Sequence, residues 1–101
     1  QIESIRKFRA SCNRMFLYGA GAEGKRLSKK LSTKGIHFDG FIVTKLVDKT
    51  LTEMLGIPVK TLNEWRIDKL NDGILLSMDL NNQLDVMPIL YSNKYKNIYR
   101  L

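Results

Sequence analysis

The sequence predicts a small α/β protein with a doubly wound parallel sheet of about five strands, in the order 3-2-1-4-5. Three observations carry that expectation. Short unbroken apolar runs, Met15-Phe16-Leu17-Tyr18, Phe41-Ile42-Val43 and Ile74-Leu75-Leu76, have the pattern of strands covered on both faces. Between them lie amphipathic segments long enough for crossover helices, and that alternation is the mark of a parallel sheet. The first run stops at Gly19-Ala20-Gly21-Ala22-Glu23-Gly24, a G-x-G-x-x-G spacing that joins strand to helix.

Taken in order, Ile2, Ile5, Phe8 and Cys12 recur at helical spacing, with Arg6, Lys7 and Arg9 between them. Residues 1–13 therefore read as a lead-in helix or linker, ahead of a domain spanning 14–101. The apolar stripe either caps that domain or docks on another part of a longer protein, of which a chain starting at Gln1 reads as a piece. After strand one and the glycine loop, Leu27 and Leu31 share one face of a helix running to about Lys34. Gly35 is its expected stop, since glycine accepts positive φ. Phe38 to Val43 reads as strand two, with Asp39 awkward near its start. Met15 to Val43 thus has the length of a βαβ crossover, right-handed by the general rule.

Leu46, Val47, Leu51, Met54 and Leu55 read as a loop followed by a short helix ending at Gly56. Ile57-Pro58-Val59 is a brief edge strand, because Pro58 lacks a ladder donor. Thr61 and Glu64 have the spacing of a capping box, and Trp65 is expected to pack its helix on the sheet. Gly73 to Met78 forms strand four and stops at Asp79. Asn81 or Asn82 caps a helix carrying Leu84, Met87, Leu90 and Tyr91, in which Pro88 marks a kink or a late start. Ile98, Tyr99 and Leu101 supply the last strand.

With 101 residues there is material for one hydrophobic core and not for two. A composition 44% hydrophobic and 27% charged excludes disordered and collagenous chains. No run approaches the roughly 20 apolar residues needed to cross a bilayer, and charges interrupt the start where a leader would lie, so the expected location is cytoplasmic. Cys12 is the only cysteine, which leaves no internal disulfide and no thiolate metal cluster; it reads as a partly buried small hydrophobe. The net charge of +7 is uneven: from Gln1 to Lys49, eleven Lys or Arg stand against four Asp or Glu. Such a field favours phosphate groups or polyanions, or else is the solvated face of a lysine-rich helix at Lys25, Arg26, Lys29, Lys30 and Lys34.

The glycine spacing has a mechanism. Gly19 permits a tight exit from the strand, Gly21 clears the approach of a ligand to the backbone, and Gly24 lets helix and sheet pack closely. Free N–H groups at the helix start then face the ligand position, which makes Ala20, Gly21, Ala22 and Glu23 backbone candidates for phosphate. The alternative is that the glycines only preserve the turn. Glu23 favours this, because its charge opposes a phosphate while suiting the positive end of a helix. A dinucleotide site also needs an acid at the end of strand two, where this chain has Thr44 and Lys45; Asp48 is a weak substitute. NAD is therefore not expected.

From Arg14 to Leu101 the chain resembles the small Rossmann-like sugar-nucleotide-binding domains at the N-terminus of bacterial sugar O- and N-acyltransferases. Similar accessory modules occur in surface-polysaccharide enzymes, including some glycosyltransferases. The resemblance lies in Phe16 to Gly24, in Gly40-Phe41-Ile42-Val43, in Leu55-Gly56-Ile57-Pro58-Val59 and in Ile74-Leu75-Leu76-Ser77-Met78. It implies that Gly19, Gly21 and Gly24 belong to a sugar-nucleotide loop, while a separate β-helix in those relatives binds acyl-CoA. The family also places a histidine or other polar base near the loop or the acyl site. Here Ala22-Glu23 stand in the loop and the hexapeptide repeats are absent, so independent acyl transfer is not expected.

A separate search for reactive groups assigns no catalytic residue and no metal ligand. His37 precedes strand two, at the end opposite a ligand crevice. Thr44, Ser77 and Asp79 fall where ribose or sugar hydroxyls would be met, or else cap strand ends and turns. Glu64, Asp68, Asp72 and Asp85 show no paired-carboxylate pattern. Nucleic acid is a weaker candidate partner: the lysines could meet phosphates and Tyr18 or Tyr91 could stack on bases, but no recognition signature accompanies them. The expected function is a non-catalytic or incomplete sugar-nucleotide-binding module of a larger bacterial polysaccharide-biosynthesis transferase. The alternative is a structural or interaction domain that positions a glycosyltransferase domain without a ligand, through contacts with the rest of its chain or by self-association.

Overall fold

The computed structural model describes residues 1–45 and 52–101. Its elements in chain order are α1 (Ile2–Ala10), β1 (Met15–Tyr18), α2 (Ala22–Thr33), β2 (Gly40–Val43), β3 (Glu53–Met54), β4 (Ile57–Thr61), α3 (Leu62–Trp65), β5 (Gly73–Leu76), α4 (Leu80–Ser92) and β6 (Asn97–Arg100). They form one six-stranded sheet, ordered β3-β4-β2-β1-β5-β6. Every pairing is parallel except β3 with β4.

The sheet thus has six strands where five were expected. The added strand is β3, at residues read from the sequence as the end of a short helix. Leu55 and Gly56 turn β3 into β4 with φ of 55° and 76°, and two successive left-handed residues give a turn whose twist suits an antiparallel pair. Leucine rarely takes that conformation, so the turn leaves no ordinary sequence signal. Leu46, Val47 and Leu51, which the same reading used, lie outside the described residues.

Alternate residues of the strands feed two cores. Met15, Leu17, Phe41 and Leu75 meet Leu31 of α2 and Ile5 of α1 on one face. Phe16, Tyr18, Ile42, Ile74 and Leu76 meet Val86, Met87 and Leu90 of α4 on the other. All four residues of β1 are buried, as a central strand with helices on both sides requires. The stripe on α1 faces inward: Ile5 is 1% exposed, and Ile2 and Phe8 pack on the same cluster. A Cβ at Gly73 would collide with Cys12 and the Phe8 ring, so that glycine lets α1 reach β5.

Several boundaries differ from those read in the sequence; β5, read as running to Met78, ends at Leu76. β2 begins at Gly40, because Asp39 is engaged with the start of β1: its carboxylate accepts from the Met15 amide at 3.0 Å and its own amide donates to the Met15 carbonyl at 2.8 Å. α4 starts at Leu80 and is capped by Asp79, whose Oδ1 accepts from the Asn82 amide at 2.9 Å. Neither Asn81 nor Asn82 is the cap, and Pro88 sits within the helix. β6 ends at Arg100 and does not include Leu101.

The end of the sheet where β1 and β5 begin is tied together by buried Asp72. Its carboxylate accepts from Arg14 Nη2 at 2.7 Å, from the Arg14 amide at 3.2 Å and from the Asp68 amide at 2.9 Å. The hydrogen bond with Asp72 raises the Arg14 pKa above its ordinary value. On the far face Trp65 lies over Gly40, where a Cβ would strike its ring, and its Nε1 donates to the Phe41 carbonyl at 2.8 Å. No helix among the described residues is long and apolar enough to cross a membrane.

Two predictions come from this packing. Gly40→Ala should displace Trp65 and cost about 1–3 kcal/mol, read by denaturant titration of the fluorescence of this single tryptophan. Hydrogen bonds from Thr61 lower the Glu64 pKa, and those from Asn71 and Leu70 lower that of Asp68. Both carboxylates therefore favour folding above their ordinary range, and the gain is lost as pH falls through the folded values. Glu64→Gln together with Asp68→Asn should flatten the acid limb of stability against pH; an unchanged slope contradicts this.

Candidate ligand-binding site

At the end of β1 the chain turns a corner with little room. Gly19 has φ of 116°, outside the range of ordinary side chains. Its amide donates to the Ile42 carbonyl at 2.9 Å, which extends the β1–β2 ladder by one residue. On the other side, buried Ser77 points its hydroxyl at the Tyr18 and Gly19 carbonyls, at 3.0 and 3.2 Å. Then α2 begins so close to the strand that a Cβ on Gly24 would collide with the Gly19 carbonyl oxygen.

Gly21 is different. It has φ of −85°, and a Cβ there would have no heavy atom within 4 Å. Gly19 is required by its backbone angle and Gly24 by contact, but the surrounding protein makes no steric demand on Gly21. It is the N-cap of α2, and no side chain caps that helix, whereas Asp79 caps α4 and a Thr61–Glu64 box caps α3. The first amides of α2 therefore keep their donors and the positive end of the helix beside open space.

That space is a cleft of about 610 Å³ over the carboxyl ends of β1, β2 and β5, where crossovers leave the central strand to opposite sides. Of the residues singled out from the sequence, Gly19, Gly21, Ala22, Glu23, Gly24, Thr44 and Asp79 line it. Ala20 does not; it packs on the core beneath α1 and α2. Thr44 Oγ1 and the hydroxyl of buried Tyr18 are hydrogen-bonded at 2.9 Å, which places a hydroxyl pair at the β1–β2 side. Glu23 is held by Arg26 Nη1 at 2.8 and 3.0 Å, an exposed pair that leaves the carboxylate at the cleft with part of its charge offset. Ser77 is 3% exposed and its proton goes to the strand exit, so it acts on the corner first and as a rim contact second.

The far wall was not legible as a site. Asn82, Asp85 and Val86 come from the first two turns of α4, and Met78 precedes it. The available signal was the three-residue spacing of Asp79, Asn82 and Asp85, which places them along one side of a helix once Asp79 is taken as its cap. No Lys or Arg among the described residues lines this cleft. Arg26 and Lys30 instead line a neighbouring cleft of about 370 Å³, which shares Glu23, Ser77, Met78 and Asp79 with the first. Lys45 is exposed just beyond Thr44, and Asp48 is outside the described residues.

His37 is remote from the cleft. It precedes β2, its side chain is 73% exposed, and its Nε2 lies 3.4 Å from Asp39. No group of three or more His, Cys, Asp or Glu residues that could hold a metal occurs among the described residues. Of the two tyrosines considered for base stacking, Tyr18 is buried and Tyr91 is 62% exposed on α4. No protein-family model matches the chain, and no curated protein matches it in sequence.

The three glycines should respond differently to substitution. Gly24→Ala should cost about 1–3 kcal/mol through the clash with Gly19. Gly21→Ser should leave stability unchanged or raise it by a few tenths of a kcal/mol, since serine is a good N-cap. Thermal denaturation of the two variants checks both, and equal losses would contradict the distinction.

Proposed function

We propose that this chain is a sugar-nucleotide-binding module of a larger bacterial polysaccharide-biosynthesis transferase, and that the module itself is non-catalytic or catalytically incomplete. The observation that carries this reading is Gly21: a glycine with no internal steric duty, at the uncapped start of α2, on the wall of the 610 Å³ cleft. The amides of Ala22, Glu23 and Gly24 then receive the diphosphate, while Thr44 and Asp79 orient hydroxyls. The resemblance to Rossmann-like domains of sugar acyltransferases and glycosyltransferases supports the same choice of ligand. NAD is disfavoured because Thr44 and Lys45 stand where an acid would hold the ribose. Nucleic acid is disfavoured because no recognition signature accompanies the basic residues and Tyr18, one of the two tyrosines considered for stacking, is buried. A cytoplasmic setting accompanies this reading.

One observation favours the second reading, an interaction domain that positions a glycosyltransferase domain or self-associates. Leu80, Leu84, Pro88 and Tyr91 are all exposed on α4, and their spacing confines them to an arc of about 80° on the helix. The α1 stripe, the sequence feature first considered for this role, is engaged with the domain's own core.

Thermal-shift measurements with UDP-sugars, CoA and NAD separate the two. On the binding reading only UDP-sugars stabilise, by about 2.7 kcal/mol at a hundred times Kd. Gly21→Leu should abolish that response while the circular dichroism spectrum is retained. No response to any UDP-sugar, together with self-association dispersed by Leu84→Asp, would replace the first reading with the second.

A further inference from the structure

The cleft and its neighbour differ in charge although they share a wall. Glu23 and Asp79 border both; Asp85 borders only the larger, where no Lys or Arg occurs among the described residues, and Arg26 and Lys30 border only the smaller. Asp85 is exposed to the larger cleft from the second turn of α4, and Asp79 commits only Oδ1 to capping, so its carboxylate keeps acceptor capacity. Carboxylates accept hydrogen bonds from hydroxyls and repel phosphate oxygens. The Tyr18–Thr44 hydroxyl pair on the opposite wall adds further polar contacts of the same neutral kind.

We infer that the α4 side of the larger cleft takes the uncharged, hydroxyl-bearing part of the ligand, with Asp85 and Asp79 accepting from vicinal hydroxyls, and that the diphosphate at the α2 amides lies on the side of Glu23 that Arg26 and Lys30 border. This rests on the binding reading above and gives the ligand a direction across the corner. It also assigns the missing acid. The end of β2 has Thr44 and Lys45 and lacks a carboxylate for sugar hydroxyls; α4 supplies one from across the crevice. Asp85 is then a specificity-determining residue, selecting hydroxyl-rich over anionic groups.

The sign of one substitution decides the matter. Asp85→Asn keeps the side chain's size, removes its charge and lies on an exposed helical position, so the fold is retained. Calorimetric titration with UDP-glucose should show binding weakened about tenfold, since a hydrogen bond to a charged group is lost. Lys30→Gln should weaken UDP-glucose and leave the weaker binding of neutral probes unaltered. Uridine and methyl glucoside serve as those probes, and whichever competes with UDP-glucose in an Asp85-dependent manner identifies the ribose or the glycosyl group as the source of the hydroxyls. UDP-glucose binding that is unchanged or tightened by Asp85→Asn overturns the inference alone, because a phosphate beside Asp85 on the α4 side would gain from loss of the charge. Failure of the unsubstituted protein to bind UDP-glucose, in the presence of an intact fold, removes the functional reading and the inference with it.

Discussion

The contact between Gly24 and the Gly19 carbonyl is the constraint on which the rest depends. It sets α2 against the end of β1 at a distance that no side chain at Gly24 would permit. The same corner fixes the carbonyls that Ser77 gathers from β5 and the amide that Gly19 gives to β2. Three adjacent strands are thereby held in register at one point, and the open cleft lies directly above them. A looser corner would carry the start of α2 away from the strand ends and disperse the wall of the site.

Packing and function place different demands on the same six residues. Gly19 and Gly24 answer to geometry within the fold, so their presence alone says nothing of a ligand. Gly21 faces the cleft without any internal contact to satisfy. Glu23 complements the helix start and is offset by Arg26, which reconciles an acidic residue in the loop with an anion nearby only if the anion lies on the arginine side. The distribution of charge between two adjoining clefts, more than the total of +7, determines what each can hold.

Much of this architecture was legible because the central strands announce themselves. Met15 to Tyr18 is unbroken apolar sequence between polar residues and glycine, and a strand covered on both faces needs that pattern. The capping box at Thr61 and Glu64 was equally plain, since its two partners are fixed by spacing. The β3–β4 hairpin was not, because its turn uses Leu55 in a conformation that leucine seldom adopts. The inward docking of α1 depends on Gly73, which is 60 or more residues distant from the helix and carries no local sign of the contact. The cleft was half legible for a related reason. Its glycine wall is a local motif, whereas its α4 wall arises only when β5 is placed beside β1, and Asp79 had to be recognised as a cap before Asn82 and Asp85 could be aligned with it.

The most direct measurement is a nitrogen-15 amide spectrum of the labelled chain titrated with a UDP-sugar. If the corner holds the diphosphate, the largest shifts fall on the amides of Gly21, Ala22, Glu23 and Gly24, with a second set on Asn82 and Asp85 across the cleft. Shifts centred on α4's exposed Leu80, Leu84 and Tyr91, or no shifts at all in a folded protein, would contradict it.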